Sequence, residues 1–394
     1  MSESASPLRT LALFCKVVDN FGDIGICWRL ARQLNQEHGI AVTLWVDDLN
    51  SFQRLCPAVS TQAERQIVSG VCIQQWRDQD GTFTVEQIAD VVIEFFGCDL
   101  PRSYIQAMAA RSDAPIWLNL EGLSAEAWVE GCHTLPSPHR QLPLTKYFYF
   151  PGFTAKTGGL LRENDLLQRR DDFASSPTEC RAFLSGLGLT DAECAACKVS
   201  LFCYPDAPLQ ALFDAWQSAP KPLICLVPEG VAPAAIERFL GRSPGIGTVR
   251  TRGALTVRVI PFIAQTDYDK LLWACDVNFV RGEDSFVRAQ WAGKPFIWHI
   301  YPQEKNLHHV KLRAFLQRYA PDCHSLIALS LLWNGATEEG VIGLDGWQAL
   351  LEDATGISAL GLGWERDMIA NGDLAANLLS FARALYRERH QNKV

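Results

Sequence analysis

The sequence has few of the features that would assign it to a membrane or to a nucleic acid. None of its apolar runs reaches the roughly 18 residues that a membrane-spanning helix needs. Its 36 lysines and arginines are outnumbered by 44 aspartates and glutamates, so the formal net charge at pH 7 is −8. A nucleic-acid-binding protein would normally carry a basic surface. We therefore expect no nucleic-acid and no membrane partner, and an acidic chain is better suited to a basic one.

The first ten residues, MSESASPLRT, lack the basic and then apolar stretches of a secretory signal peptide. We therefore expect a cytoplasmic protein whose 13 cysteines are reduced thiols. Most of these, for example Cys15, Cys27 and Cys225, lie within apolar segments, where a free cysteine behaves as a small apolar residue. Cys194 and Cys197 have the spacing of a metal or redox pair, but no second pair of ligands follows. The plainer interpretation is a helix with both thiols at or near the core.

Several familiar catalytic motifs are missing as well. The sequence has no GxGxxG dinucleotide fingerprint at its first predicted strand-to-helix turn and no GxxxxGK[ST] phosphate loop. It has no HExxH zinc motif, and the absence of GxSxG argues against an α/β-hydrolase. Because no carboxylate lies at ligand spacing from His299, His308 or His309, we interpret these histidines as structural or surface residues.

The sequence does contain enough apolar material for two cores. Its 394 residues are 48% hydrophobic and 20% charged, as in an ordinary globular protein, and at about 100–200 residues per domain they fit two domains. Short, nearly all-apolar segments alternate with segments of helical periodicity, such as residues 11–18 and then 24–39. This alternation predicts an α/β fold with parallel strands covered on both faces. Further strands are predicted at residues 41–46, 89–96 and 114–120.

A polar, loop-like segment at residues 158–177 is the candidate domain boundary. After it the alternation continues from about residue 198 to residue 301, which predicts a second doubly wound sheet. The segment LAANLLSFARALYRERH predicts a final helix with basic residues in its last turn. Ligands of such sheets bind beyond the carboxyl ends of the strands, and in a two-domain protein we expect them in the cleft between the domains.

The turn after the first predicted strand, DNFGDIG at residues 19–25, carries two carboxylates beside two glycines. On one interpretation Asp23 caps the following helix and Asp19 forms an Asx turn. On the other, one carboxylate is a general base and the other orients it. The two acids argue against a pyrophosphate at this turn, because they would repel it.

A second group, RGEDS at residues 281–285, also lies where a predicted strand meets a helix. Ser285 is a candidate N-cap, and the free N–H groups of the helix end would then bind a diphosphate. Glu283 and Asp284 could accept hydrogen bonds from sugar hydroxyl groups. The alternative is an acidic first turn that satisfies the helix dipole, although this does not explain why Arg281 and Glu283 share the turn.

A third group follows the strand that ends near residue 261. Phe262, Gln265 and Tyr268 could hold a base ring by stacking and by edge hydrogen bonds, and Tyr204 at the end of another strand could reach the same place. Alternatively, Phe262 is simply part of the core.

Together these segments resemble the EarP family, the elongation factor P arginine rhamnosyltransferases. The resemblance is carried by DNFGDIGICWRLARQL and WVDD, by SPHRQLPLTKYFYFPGFTAKTGGLLRE, and by IPF and RGEDSFVRAQWAGKPFIWHIYPQ. The matching segments run in order from near residue 11 to near residue 305, and RGEDSFVRAQ is a long and specific signature. The residues between about 165 and 195, and most of those after 310, carry little recognisable signal.

The resemblance implies the GT-B glycosyltransferase fold, with two Rossmann-like doubly wound domains facing across a cleft. The acceptor-side domain would span residues 1–170, with the C-terminal helix 374–394 packing back on it, and residues 180–370 would bind the nucleotide sugar. The implied reaction is inverting transfer of rhamnose from dTDP-β-L-rhamnose to an arginine of elongation factor P, which is activated thereby. Because Ser285 and the helix N-terminus would stabilise the charge of the leaving diphosphate, we expect no cofactor and no metal.

The resemblance also implies roles for individual residues. Asp23 would be the base, Asp19 its companion, and Glu283 the essential acid on the donor side. The residues expected to bind dTDP-rhamnose are Asn20, Phe21, Gly22, Tyr204, Phe262, Ile263, Gln265, Tyr268, Arg281, Gly282, Asp284 and Ser285.

Two other functions stay open at this point. The same two-domain layout would suit a sugar-nucleotide transferase that acts on a small molecule or a lipid, although the sequence shows no clear membrane-facing patch. The chain could also be a non-catalytic module that binds a translation factor. Consumption of dTDP-rhamnose by the purified chain would separate these functions from each other.

Overall fold

The computed structural model describes residues 8–19, 21–77, 81–337, 340 and 342–391. The chain divides into two compact units. The first comprises residues 1–164 together with 368–394, and the second comprises residues 165–367.

The first unit contains, within the described residues, an eight-stranded sheet in the order β3-β4-β2-β1-β5-β6-β8-β7. Its strands are β1 (Thr10–Cys15), β2 (Ala41–Val46), β3 (Arg65–Val68), β4 (Val71–Gln75), β5 (Val91–Phe95), β6 (Ile116–Leu120), β7 (Pro136–Pro138) and β8 (Thr145–Tyr149). Each edge strand, β3 and β7, pairs antiparallel with its neighbour, and the pairings between are parallel. The central strands β1, β5 and β6 are almost entirely buried, as expected of parallel strands covered on both faces.

The helices of the first unit alternate with these strands along the chain, as in βαβ units. They are α1 (Gly22–Gln36), α2 (Leu49–Leu55), α3 (Arg102–Ala110) and α4 (Val129–Cys132), with a short 3-10 helix at Val85–Gln87. On one face of the sheet, the ring of Phe14 stacks on Trp45 at 5.4 Å and meets Tyr104 of α3 edge-on at 4.9 Å. This aromatic core fixes α3 against the middle of the sheet.

The second unit contains a sheet in the order β11-β12-β10-β9-β13-β14, counted over the described ranges. Its strands are β9 (Cys197–Leu201), β10 (Leu223–Pro228), β11 (Val249–Arg252), β12 (Leu255–Ile260), β13 (Val277–Arg281) and β14 (Phe296–His299). Here too the pairings are parallel except for the edge strand β11.

Helices cover both the sheet and the segment that leads into it. They are α5 (Leu166–Ala174), α6 (Pro177–Gly186), α7 (Asp191–Ala195), α8 (Leu209–Gln217), α9 (Pro233–Leu240), α10 (Gln265–Ala274), α11 (Asp284–Trp291), α12 (Leu307–Tyr319), α13 (His324–Trp333), α14 (Leu344–Glu352) and α15 (Ala354–Ala370), with a 3-10 turn at Glu304–Asn306. In the core, the ring of Trp216 of α8 packs against Phe279 of β13 and Trp347 of α14, with ring centroids 5.7 and 5.1 Å apart.

The last helix, α16 (Leu374–Gln391), belongs to the first unit. The N–H of Leu374 donates to the carbonyl of Leu160 at 3.0 Å. Further along, Phe381 packs against Tyr149 of β8 at 5.6 Å, and Arg389 donates to the carbonyl of Ala114 at 2.6 Å. The two ends of the chain thus build the same unit.

Two sequence-based expectations are corrected by local structure. The loop-like segment 158–177 contains helix α5, because Leu166, Arg170 and Phe173 recur at helical spacing and are buried. Helix α7 ends at Ala195, so Cys197 lies in β9 instead of sharing a helix with Cys194. All 13 cysteines, each at a described position, are free thiols. No helix within the described ranges is long and apolar enough to cross a membrane.

Helices α10 and α11 are joined by a buried ion pair. The guanidinium of Arg288 donates to both carboxylate oxygens of Asp269, at 2.8 and 2.7 Å, and both side chains are almost completely buried. Burial makes such a pair sensitive to the loss of one partner, since the other charge is then left in a low-dielectric site.

We therefore expect Asp269→Ala to lower the free energy of unfolding by about 3–5 kcal/mol, the usual effect of leaving a buried charge unpaired. Asp267→Ala on the same helix removes an exposed partner of Lys270 and is the matched control, with little effect. Urea unfolding of the two variants measures the difference. Equal stability of both variants would contradict the importance of the buried pair.

Candidate functional site

The first candidate site is the turn between β1 and α1, where side chains replace the sheet as hydrogen-bond partners. The carboxylate oxygen Oδ2 of Asp23 accepts the main-chain N–H groups of Val18 and Asp19, both at 2.8 Å. Asp47, at the end of β2, accepts the N–H of Val17 at 2.9 Å. Strand β1 consequently ends at Cys15, three residues before the end predicted from the apolar run, because these amides are bound by carboxylates.

Asp19 lies over the beginning of helix α1. Its carbonyl accepts the N–H of Gly22 at 2.7 Å, which closes the turn. A Cβ atom at Gly22 would come within 2.6 Å of Oδ2 of Asp19, so this position needs glycine to leave room for the carboxylate. Two carboxylates therefore share the N-terminal end of one helix, where its dipole favours negative charge.

The helix is not capped as the simpler interpretation expected. Its N-cap is Phe21, without a side-chain hydrogen bond, and Asp23 is the second helical residue. Asp23 reaches back to the residues before the helix instead of capping it. The guanidinium of Arg54 lies over the ring of Phe21 at 5.8 Å. The predicted donor contact Asn20 lies outside the described residues.

Burial raises the pKa of Asp23 above its ordinary value. The hydrogen bonds from the amides of Asp19 and Val18 act in the opposite direction, and the nearby charge of Asp47 adds to the rise. Ionised Asp23 is thus held at some cost to the folded state. A cation bound beside it would reduce that cost.

The second candidate site is the turn between β13 and α11. The hydroxyl of Ser285 donates to the carbonyl of Arg281 and accepts the N–H of the same residue, the latter at 3.1 Å. The N-cap of α11 is Glu283, so the prediction that Ser285 is the N-cap is wrong. The hydroxyl is used to close the turn, which passes through Gly282 at φ 61°.

The start of α10 is tied to this turn. The side-chain amide of Gln265 donates to Oδ2 of Asp284 at 3.1 Å, and both residues are buried. Gln265 is the first residue of α10, and Asp284 is the first of α11. The structure thus joins a residue predicted to contact the base with one predicted to contact the donor sugar.

Aromatic rings surround Arg281 at the end of β13. Its guanidinium lies over Phe202 at 4.4 Å and over Tyr204 at 4.8 Å, and it donates to the carbonyl of Cys203 at 3.0 Å. Phe202 also approaches Phe262 at 6.4 Å and Tyr268 at 6.1 Å. Phe202 therefore links the predicted aromatic residues to Arg281, although no sequence pattern distinguishes it among the 20 phenylalanines.

The remaining predicted residues of this group lie beside it. Phe262 and Ile263 are half-buried and connect β12 to α10. The hydroxyl of Tyr268 is buried, and burial raises the pKa of this phenol. Half-burial of Phe262 leaves part of the ring accessible, which fits a ligand contact as well as a core position.

The two turns differ in the charge that they can bind. The turn of Asp19 and Asp23 presents carboxylates and suits a cation, whereas the N-terminal end of α11 and the guanidinium of Arg281 suit an anion. In the part of the chain that the structure describes, no group of three or more His, Cys, Asp or Glu side chains is arranged to hold a metal ion.

Comparison with known proteins points to one family. The family model of the elongation factor P (EF-P) rhamnosyltransferase EarP matches residues 11–383. A protein-arginine rhamnosyltransferase of Pseudomonas putida KT2440 is 49% identical over 380 residues, covering 95% of this chain and 98% of the relative. The enzyme of the same name from Pseudomonas aeruginosa PAO1 is 44% identical over 375 residues, covering 94% and 97%.

Solved structures agree with this similarity. A structure described as the basis for EarP-mediated arginine glycosylation of translation elongation factor EF-P has 38% identity and a TM-score of 0.65, covering 95% of this chain and 99% of that one. A glycosyltransferase from Rickettsia africae, at 9% identity and a TM-score of 0.53, shares only the fold. The predicted α/β fold of GT-B glycosyltransferases, with two mainly parallel sheets, is confirmed.

The raised pKa of Asp23 predicts how stability depends on pH. Between the unfolded value of about 3.9 and the higher folded value, the native state binds more protons, so stability falls as the pH rises through this window. Asp23→Asn removes this titration. We expect the variant to gain stability relative to wild type between pH 4 and pH 7, as measured by urea unfolding.

Asp48→Asn is the matched control in the neighbouring turn. For Asp48, burial acts to raise the pKa, but hydrogen bonds from Ser51 and Asn50 outweigh it and hold the pKa below its ordinary value. Its variant should therefore lose stability relative to wild type as the pH rises towards the unfolded value of about 3.9 and change little above it, so unfolding is also measured below pH 4. The same sign of slope in both variants would show that burial does not dominate at Asp23.

Proposed function

This chain belongs to the EarP family, and we propose that it transfers rhamnose from dTDP-β-L-rhamnose to an arginine side chain of elongation factor P. The observation that carries the proposal is the carboxylate pair Asp19 and Asp23, which is built into the end of β1 and suits a cationic acceptor. Since elongation factor P acts in translation, we expect the reaction to take place in the cytoplasm.

On the acceptor side, the problem is that a guanidinium is a poor nucleophile. Its pKa exceeds about 12, whereas that of an ordinary aspartate is near about 3.9, so Asp23 cannot remove the proton in advance. We expect Asp23 to hold the guanidinium by a charge-assisted hydrogen bond and to aim one nitrogen at the anomeric carbon. Because both amide hydrogen bonds end on Oδ2, Oδ1 is the atom assigned to the acceptor.

Asp19 would support this arrangement by keeping the local charge negative and by fixing the turn through Gly22. Two carboxylates favour a bound cation more than one does. The raised pKa of Asp23 fits this role, since a bound guanidinium would relieve the cost of its ionised form.

On the donor side, the diphosphate would bind at the N-terminal end of α11, where main-chain N–H groups lack partners within the helix. Ser285 would contribute by closing the turn, because its hydroxyl already binds the main chain of Arg281. Glu283 would be the acid that contacts the donor, and Asp284 would line the same place. Tyr204, Phe262, Ile263, Gln265 and Tyr268 would border the sugar and the thymine nucleotide.

The chemical step then needs one base and no covalent intermediate. The guanidinium nitrogen attacks the anomeric carbon from the face opposite the diphosphate, the C–N bond forms as the C–O bond breaks, and dTDP leaves. As its lone pair is used, the nitrogen becomes acidic and passes its proton to Asp23. Attack from the opposite face inverts the configuration and gives an α-linked rhamnose. The helix end and Arg281 stabilise the charge that develops on the diphosphate.

The direct test is the intact mass of elongation factor P after incubation with this chain and dTDP-rhamnose. We expect a gain of one deoxyhexose, located on an arginine. In Asp23→Asn the rate should fall by about 10²–10⁴-fold, the usual contribution of a general base, while the affinity for the donor survives. Asp48→Asn, which keeps a capping residue at the start of α2, is the control and should retain the wild-type rate.

If the chain bound elongation factor P without consuming the donor, it would be a non-catalytic binding module and not an enzyme. Transfer to a small molecule or a lipid, and not to the protein, would favour the other transferase. Loss of donor affinity in Asp23→Asn at an unchanged rate of transfer would place this residue on the donor side.

A second prediction concerns metal ions. Because main-chain N–H groups and Arg281 supply the positive charge at the diphosphate, EDTA should leave the rate of rhamnose transfer unchanged. The measurement is the same mass assay, with and without added magnesium. Inhibition by EDTA that magnesium reverses would refute this account of the leaving group.

A further inference from the structure

His299 lies at the end of β14, directly beside the predicted donor residues. In the sheet it is paired in register with Arg281 of β13. The residue is 4% exposed, and its ring is enclosed edge-on between Tyr204 at 5.2 Å and Trp333 at 5.6 Å. The imidazole is therefore held in one orientation at the carboxyl end of the sheet.

One ring nitrogen is used by the main chain. The N–H of Tyr204 donates to Nδ1 of His299 at 3.2 Å, and since an amide N–H can only donate, Nδ1 carries no proton. Burial lowers the pKa of His299 to about 4. The charge of Asp206 acts to raise this pKa, and the charges of Arg281 and His308 act to lower it, but these effects are smaller. The neutral ring at neutral pH therefore carries its proton on Nε2.

The Nε2–H group makes no hydrogen bond within the described part of the chain. Its neighbour is Oδ1 of Asp206 at 3.9 Å, which is beyond hydrogen-bonding distance. The side chain of Asp206 is 62% exposed, so a ligand can reach this pair from solvent. The donor Nε2–H of His299 and the acceptor Oδ1 of Asp206 thus leave room for one ligand atom that binds both of them.

A hydroxyl group is the ligand that fits both atoms. Its oxygen can accept from Nε2–H and donate to Oδ1, and two hydrogen bonds of about 2.8 Å meeting near a right angle span the observed separation. A phosphate oxygen does not fit, because it would accept from His299 but would be repelled by the carboxylate of Asp206. The pair therefore selects the sugar of the donor and not its diphosphate.

We propose that His299 and Asp206 form a subsite for one hydroxyl group of the donor sugar. The inference rests on the proposed function, since it takes the donor to be a nucleotide sugar bound beside Arg281 and Tyr204. Tyr204 connects the subsite to that position, because its N–H fixes His299 while its ring lies 4.8 Å from the guanidinium of Arg281. On this proposal His299 binds the sugar, whereas from the sequence we interpreted it as a structural or surface residue.

The test compares the affinities of full-length variants for dTDP-rhamnose and for free dTDP, measured by calorimetry. Asp206→Ala changes an exposed side chain and should weaken dTDP-rhamnose about tenfold, the effect of a hydrogen bond to a charged group, with dTDP unchanged. His299→Asn keeps an acceptor near the N–H of Tyr204 but loses the donor at Nε2, and should behave in the same way. His299→Gln, whose amide can reach the place of Nε2, should restore part of the affinity.

Asp345→Ala, an exposed carboxylate at the start of α14, is the control and should bind both ligands as wild type does. An equal loss of affinity for dTDP and for dTDP-rhamnose would show that His299 and Asp206 only shape the nucleotide site. Unchanged affinities in Asp206→Ala would show that the pair binds water and not the sugar. Either result overturns the subsite. Failure of the wild-type chain to bind dTDP-rhamnose would instead refute the proposed function.

Discussion

The hydrogen bonds from the amides of Val18 and Asp19 to the carboxylate of Asp23 determine the first candidate site. They end strand β1 at Cys15, because the next amides have a partner other than the sheet. They also bring a partly buried carboxylate to the end of a parallel strand, where α/β proteins bind their ligands. Without them the strand would run on and Asp19 would not lie over the start of α1. One side chain therefore sets both the local fold and the local charge.

In the second unit a turn of the same kind is held by a different side-chain group. Ser285, like Asp23, is the second residue of its helix, and each side chain binds the main chain of the residue four positions earlier, in the turn that follows a strand or at the strand's last residue. In one unit the bridging group is an anion and in the other a neutral hydroxyl. The same turn can consequently present carboxylates to a cation in the first case and leave the helix end open to an anion in the second. The proposed substrates, an arginine side chain and a nucleotide sugar, need this difference.

The sequence was sufficient for the architecture because apolar strands and periodic helices are local signals. It located the residues of both turns but not their roles, since Ser285 and Asp23 are equally good caps by type and only the backbone shows that they reach back. Helix α5 was missed because its buried face consists of only Leu166, Arg170 and Phe173 within a polar segment. Contacts between residues far apart in the chain could not be predicted, because they leave no local pattern. Tyr204, whose N–H fixes the tautomer of His299, lies 95 positions away.

The return of α16 to the first unit has a consequence for the order in which the protein is made. The second unit is continuous in the chain, so all of its residues are translated before the last helix. The first unit is translated first, but the contacts of Phe381 with Tyr149 and of Leu374 with Leu160 can form only after α16 has been made. Since domains generally fold as units during synthesis, the early-made half must wait, with part of β8 and its surroundings uncovered, for the late-made half to be completed. A nascent chain of this protein therefore needs protection from aggregation mainly in its first unit, around β8.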